Sequence, residues 1–310
     1  MLGNEMAYEG LSYARNVMLS NGVSEGLRKV VDSHGYGFHY AVIKMADRLF
    51  PGKSPWIFKA AEIPVSVRGQ DTRIDFMLRH RSMPIYLICE CKRANPALNY
   101  WCFLRVPYVK RNYVAKELIT EGIKYDPEVA SERRIITGPK LSGNSDFVYG
   151  LAFGMKSEEK GDEKGSGRGE IEKAATQVMR GLNGFVEFFS DHSEVLENGP
   201  SGKLALLVPV IFTTAQIFVS EIDVSAADVK TGKLAVGEIG LTDRPWLWYR
   251  YHQSPGIRHT LTVRRDLFSA KDHTDVDVGN VVNEEFARTI AVVNSTGIEN
   301  FLTSPWYEDL

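Results

Sequence analysis

Apolar and polar positions change period along the first part of the chain, and the changes mark out its elements. From Asn4 to Val31 the spacing is helical, with Leu11, Ala14, Val17 and Met18 on one side, a break at Asn21-Gly22 and a second helix from about Ser24. After a loop over Asp32 to Gly37, Val42, Met45, Ala46 and Leu49 give an amphipathic helix from Phe38 to Phe50, stopped by Pro51-Gly52. The period then drops to two. Trp56 to Arg68 reads as a strand with Ile57, Ala61, Ile63, Val65 and Val67 as its apolar members, and Gly69-Gln70 turns it into a strand carrying Asp75. The turn Arg81-Ser82-Met83-Pro84 leads to a third strand, Ile85 to Lys92. The order so far is a helix followed by a three-strand meander.

The remainder is less regular. Asn95 to Phe153 is rich in aromatic and basic residues and reads as an insertion with its own short elements, within an insertion running to about residue 169. Residues 156–170 form a Glu, Lys and Gly tract without a large apolar residue and are expected to be disordered. Helical order returns over Glu170 to Phe189, and Leu204 to Val219 predicts a buried strand near the centre of a sheet. The domain reading is an N-terminal helical segment (1–37), a core (38–219) and a C-terminal extension (220–310) packed on it. The expected fold class is α/β, a central mixed β-sheet flanked by helices.

Composition narrows the chemistry. At 310 residues and 44% hydrophobic content the chain can bury a full core. No apolar run is long enough to span a bilayer, and Met1 to Glu9 lacks the features of a signal peptide, so no membrane association and a cytoplasmic location are expected. Cys89, Cys91 and Cys102 read as buried small residues, since their spacing suits neither a bridge nor a closed zinc site. A net charge of −2 exerts no global pull on nucleic acid, so local basic pairs such as Lys92 with Arg93 would have to supply it.

The chemistry concentrates at the end of the third strand. Side chains alternate along a strand, so Glu90 and Lys92 share a face with Tyr86 and Ile88, while Leu87, Cys89 and Cys91 take the other. An apolar strand that closes with a carboxylate and an ammonium carries charges that are costly to bury without a partner or a metal. The bare spacing is common here, since Glu158-Glu159-Lys160, Asp162-Glu163-Lys164 and Asp228-Val229-Lys230 also satisfy it. Only Glu90-Cys91-Lys92 ends an apolar strand with an Asp on the strand before it.

Helix, strand, strand with Asp, strand ending Glu-x-Lys, helix and strand resembles the core of the PD-(D/E)xK nuclease superfamily, the restriction-endonuclease-like fold, over about Phe38 to Lys92 and Glu170 to Val219. The resemblance implies a metal-dependent endonuclease hydrolysing phosphodiester bonds of DNA ahead of RNA, in defence against foreign DNA or in repair. It implies Asp75, Glu90 and Lys92 as catalytic residues, joined by Gln177 on the helix after the Glu-x-Lys strand. Mg²⁺, with Mn²⁺ as substitute, would be held by Asp75, Glu90 and the Cys91 carbonyl, hard oxygen donors of the kind this cation takes. The family's acid on the first helix is missing: that helix offers only Asp47, with His39 and Tyr40 where an acid is expected, and Glu62 on the following strand could supply the ligand instead. The resemblance also implies a homodimer. The alternative is a non-catalytic nucleic-acid-binding or protein-interaction subunit on the same fold. Several residues carry a second, plainer reading: His34 and His39 reach phosphate or act as capping or surface groups, Asp71 competes with Asp75 for the metal or is a turn residue, Gln177 touches substrate or faces solvent, and the aromatics from Tyr100 to Tyr113 are open in the same way. Those aromatics either stack on bases or pack the insertion against the core.

Overall fold

A computed structural model describes residues 21–33, 35–95, 99–104, 117–124, 132–140, 148–155, 168–191, 204–220, 222, 226–234, 240–254 and 286–307. The expected first helix from Asn4, and residues 156–167 of the tract expected to be disordered, lie outside these. Residues 168–170, the end of that tract, begin a helix. The chain divides into two compact units, Met1–Gly37 and Phe38–Leu310. In the first, helix α1 (Asn21–Ser33) carries the exposed apolar residues Val23, Leu27, Val30 and Val31 at helical spacing.

The second unit is α/β, with a mixed sheet flanked by helices, as the alternation of periods led one to expect. Helix α2 (Tyr36–Leu49) buries His39, Val42, Ile43, Ala46 and Leu49. Strands β1 (Trp56–Val67), β2 (Gln70–His80) and β3 (Ile85–Lys92) form the antiparallel meander. Val67 pairs with Gln70, so Arg68 and Gly69 make a two-residue turn, and both have positive φ (53° and 72°) as the tightest hairpin turns require. The region read as an insertion supplies β4 (Tyr100–Leu104), β5 (Glu117–Lys124), β6 (Glu132–Lys140), β7 (Val148–Tyr149) and β8 (Leu151–Met155). Helix α3 (Arg168–Asp191) then crosses over to β9 (Leu204–Thr213), which runs parallel to β3.

The stretch read as one strand from Leu204 to Val219 is two. Thr214 donates its N–H to the Lys92 carbonyl and Ala215 donates to Thr213 Oγ1, which turns the chain out of the main sheet. Strand β10 (Gln216–Ser220) then joins β4, β8 and β11 (Thr242–Asp243) in a second sheet. The C-terminal residues do more than pack on the core. Strands β12 (Trp246–His252) and β13 (Ala287–Asn294) enter the main sheet, β13 lying parallel to β9, and a final short helix α4 (Ile298–Thr303) follows. Strand β9 therefore has β3 on one edge, and on the other β5 along its first half and β13 along its second. A fully buried ion pair, Arg288 to Glu121, ties β13 to β5, with Nε donating to Oε1 at 2.7 Å.

The sheet separates two cores. On one face α3 presents Ala174, Ala175, Val178, Met179 and Leu182 to Val65, Ile74 and Ile88. Gly184 permits this close approach, since a Cβ there would sit 2.8 Å from Val65. On the other face α2 and α4 cover Phe76, Leu78, Leu87, Cys89, Val208 and Phe212, together with Trp56, Trp248 and Trp306. Trp101 and Phe103 of β4 are buried in the α3-side core, so those two aromatics pack the inserted strands; Tyr108 and Tyr113 lie outside the described residues. Among the described residues no helix is long and apolar enough to cross a membrane.

Candidate active site

The sheet opens at the end of β3. The β2–β3 ladder runs from Arg79–Tyr86 to Phe76–Cys89 and stops, so the next residues in register, Asp75 and Glu90, stand where the strands part. The Asp75 side chain takes over the ladder's role there: its Oδ2 accepts the Cys91 N–H at 2.6 Å. A carboxylate held by a backbone donor at strand spacing is fixed in place, and a charged acceptor makes the bond stronger than an ordinary ladder bond.

Both strands of the β1–β2 hairpin turn over at the same level. Ile63 and Ile74 belong to the α3-side core, whereas Ala61 and Phe76, their neighbours two residues along, belong to the α2-side core. Residues two apart on a regular strand share a face, so a local twist must intervene. It falls at Glu62, which has φ of 53° and lies opposite Asp75, between the pairs Ala61–Phe76 and Ile63–Ile74. A left-handed Glu inside a strand costs on the order of 1–3 kcal/mol, a strain that surrounding contacts must hold. Those contacts are present: His39 Nδ1 lies 3.3 Å from Glu62 Oε1, and Arg73 Nη1 lies 3.7 Å from Oε2.

On β3 alternation puts Glu90 and Lys92 on the face of Ile88, and their charged ends meet at 2.7 Å. Glu90 is only 4% exposed. Burial first, and the Asp75 carboxylate second, push its carboxyl up to about 7 although Lys92 pulls the other way. Asp75 is likewise raised, mainly by burial and partly by Glu62, against the Cys91 N–H, His39 and Lys92. Burial, reinforced by the neighbouring carboxylates, thus makes the charged forms of Asp75 and Glu90 costly in spite of Lys92, which is the electrostatic condition that a bound cation would relieve.

The donor set suits a hard cation held by a pair of carboxylates. Among the described residues no three His, Cys, Asp or Glu side chains are close enough to enclose a metal by themselves, so a closed cage is absent. A cation that keeps several of its waters asks for no more than one or two carboxylates. The Lys92 carbonyl is used by Thr214 on the β9 side, so alternation aims the Cys91 carbonyl at the opposite, β2 side, where Asp75 stands. The Cys89 and Cys91 thiols are pushed well up by burial and then by the Asp75 carboxylate, which keeps them protonated and out of the chemistry.

Asp75, Glu90, Lys92, Cys91 and Glu62 thus converge, while Gln177 does not. It is exposed on α3, and no described hydrogen bond or ion pair joins it to the cluster. Asp47 and Asp71 are exposed as well. Of the competing acid-x-Lys patterns, Asp228 sits in an exposed turn where its Oδ1 accepts the N–H groups of Lys230 and Thr231; the other two lie outside the described residues.

The residue that sequence reasoning misplaced is His39. It is buried at 4% exposure rather than capping or on the surface, with its ring stacked on Phe76 at 5.6 Å. The signal was present, since His39 falls three and four residues before Val42 and Ile43 and so lies on the apolar stripe of α2. No family model, curated protein or solved structure matches this chain.

Proposed function

We propose that this chain is a divalent-cation-dependent endonuclease that hydrolyses phosphodiester bonds of DNA, acting in defence against foreign DNA or in repair. The observation that carries the reading is the strand-end cluster: Asp75 and the buried Glu90 meet where β2 and β3 part, with Lys92 2.7 Å from Glu90. Holding one buried and one half-buried carboxylate side by side costs stability, and such arrangements cluster at functional sites.

Asp75 and Glu90 would hold Mg²⁺ or Mn²⁺ together with the Cys91 carbonyl, and Glu62, not close enough to complete a three-carboxylate set, would act on the cation through one of its retained waters in place of the absent helix acid. Such a cation supplies Lewis-acid polarisation of the phosphate and a water of lowered pKa. Lys92 does the chain's own part. Its ammonium is paired with Glu90 in the free protein, and exchange of that pairing for a phosphate oxygen places a positive charge where negative charge develops. Arg73, whose side chain is 67% exposed beside Glu62, would meet the phosphate backbone next to the scissile position.

A second reading, a non-catalytic nucleic-acid-binding or protein-interaction subunit, draws on the net charge of −2 and on the lack of a three-side-chain metal set among the described residues. The two readings separate when purified protein is incubated with supercoiled plasmid, single-stranded DNA and RNA in Mg²⁺, in Mn²⁺ and in chelator. The enzyme reading expects metal-dependent cleavage with DNA preferred. Binding without cleavage in either metal supports the subunit.

A further inference from the structure

Helix α2 contributes one polar side chain to the buried face of the sheet, and it touches the strained residue. His39 Nδ1 lies 3.3 Å from Glu62 Oε1 with the His39 side chain 5% exposed, so Nδ1 must carry the proton: a bare lone pair there would face the lone pairs of a carboxylate. The ring stacks on Phe76 at 5.6 Å and on Tyr40 at 4.9 Å, and its Nε2 is buried without a hydrogen-bond partner. That unsatisfied nitrogen belongs to the ring that touches Glu62, whose left-handed backbone lies opposite Asp75, so two local costs meet beside the carboxylates.

We infer that His39 is a positioning residue: it donates from Nδ1 to Glu62, fixes that side chain opposite Asp75, and so lets a strand carboxylate stand in for the missing helix acid. The inference rests on the nuclease reading, because it assigns Glu62 to the cation site. His39 is not a ligand in this assignment. It acts through Glu62, with Arg73 holding the second oxygen from the solvent side.

The test uses the full chain and two readouts besides cleavage. Melting temperature is followed against Mg²⁺ concentration for the wild type, His39→Ala, His39→Asn, Glu62→Gln and the double variant His39→Ala/Glu62→Gln. Asn keeps a donor near the place of Nδ1, whereas Ala removes it. The expected result is a half-saturating Mg²⁺ concentration raised about tenfold or more in His39→Ala, the usual loss when a group orienting a ligand is removed. His39→Asn is expected within about threefold of the wild type on the same scale, and the double variant no worse than Glu62→Gln alone. An unchanged Mg²⁺ dependence in His39→Ala, or His39→Asn as impaired as His39→Ala, overturns the inference. The same variants melted without metal form a double-mutant cycle. No coupling between residues 39 and 62 in a wild type that cleaves overturns the clamp alone. A wild type that neither cleaves nor responds to Mg²⁺ overturns the nuclease reading and, with it, the site role of His39.

Discussion

Replacing Glu90 by Gln makes the electrostatic account quantitative. The folded chain raises this carboxyl from 4.5 to about 7, with burial as the main cause and Asp75 next. The folded state therefore holds the Glu90 proton more tightly than the unfolded state does. The stability this contributes is fully present below about 4.5 and is lost as pH rises through about 7. A displacement of that size is worth about 3 kcal/mol. Gln fills nearly the same volume and does not ionise, so in metal-free buffer the stability difference between Glu90→Gln and wild type should move by about 3 kcal/mol in the variant's favour between pH 4.5 and pH 8. Urea unfolding followed by tryptophan fluorescence reads it directly, because Trp56, Trp248 and Trp306 are buried in the α2-side core. A difference that does not change with pH would refute the claim that Glu90 is buried at an electrostatic cost. Saturating Mg²⁺ at pH 8 should then reverse the order, stabilising the wild type and leaving the variant unmoved.

Three further outcomes follow from particular contacts. Asp75→Asn and Lys92→Ala should each lower the Mg²⁺-dependent cleavage rate by about a hundredfold or more, while only Asp75→Asn weakens the Mg²⁺ response of the melting temperature. Gly184→Ala forces a Cβ to within 2.8 Å of Val65 and should cost roughly 1–3 kcal/mol, whereas Gly26→Ala, with nothing within 4 Å, should stabilise α1, and thermal unfolding compares the two. His80 accepts the N–H groups of Ser82 and Met83 at Nδ1, and burial lowers its pKa from 6.5; the stability it contributes is present above 6.5 and lost as pH falls through the lowered value, a loss that His80→Asn should remove in unfolding measured below pH 6.

The strand-end cluster was legible because it depends on local rules. Alternation along Ile85 to Lys92 puts Glu90 and Lys92 on one face whatever the rest of the chain does, and a short turn at Arg81 to Pro84 places the strand of Asp75 beside them. Glu62 was reachable by the same logic, one hairpin further back. Its left-handed backbone was not, because nothing about a Glu residue announces a positive φ, and its side-chain partners His39 and Arg73 lie on a helix and on another strand. His39 was misread because its place near the start of the helix was weighed ahead of its phase, three and four residues before Val42 and Ile43, which puts it on the apolar stripe.

The larger layout was hidden for a different reason. That β13 pairs with β9, and that β5 shares the same edge, are contacts between residues far apart in sequence, and no local period encodes them. The break at Thr214 was invisible because Thr213-Thr214-Ala215 carries no Gly or Pro between two apolar runs; the bonds that mark it, to the Lys92 carbonyl and to Thr213 Oγ1, are not encoded in a local period. For Gln177 the two readings differ in phase. Helical spacing placed it on α3, and the buried stripe of Ala174, Ala175, Val178 and Met179 turns it to solvent.

The most direct test of the central claim is the initial rate of supercoiled-plasmid nicking in Mg²⁺ by the wild type beside Glu90→Ala and Lys92→Ala, each checked for a folded-state melting transition. The account predicts nicking by the wild type that chelator abolishes and that both variants lose. Nicking that persists in both variants, or a folded wild type that cleaves no DNA in either Mg²⁺ or Mn²⁺, would contradict it.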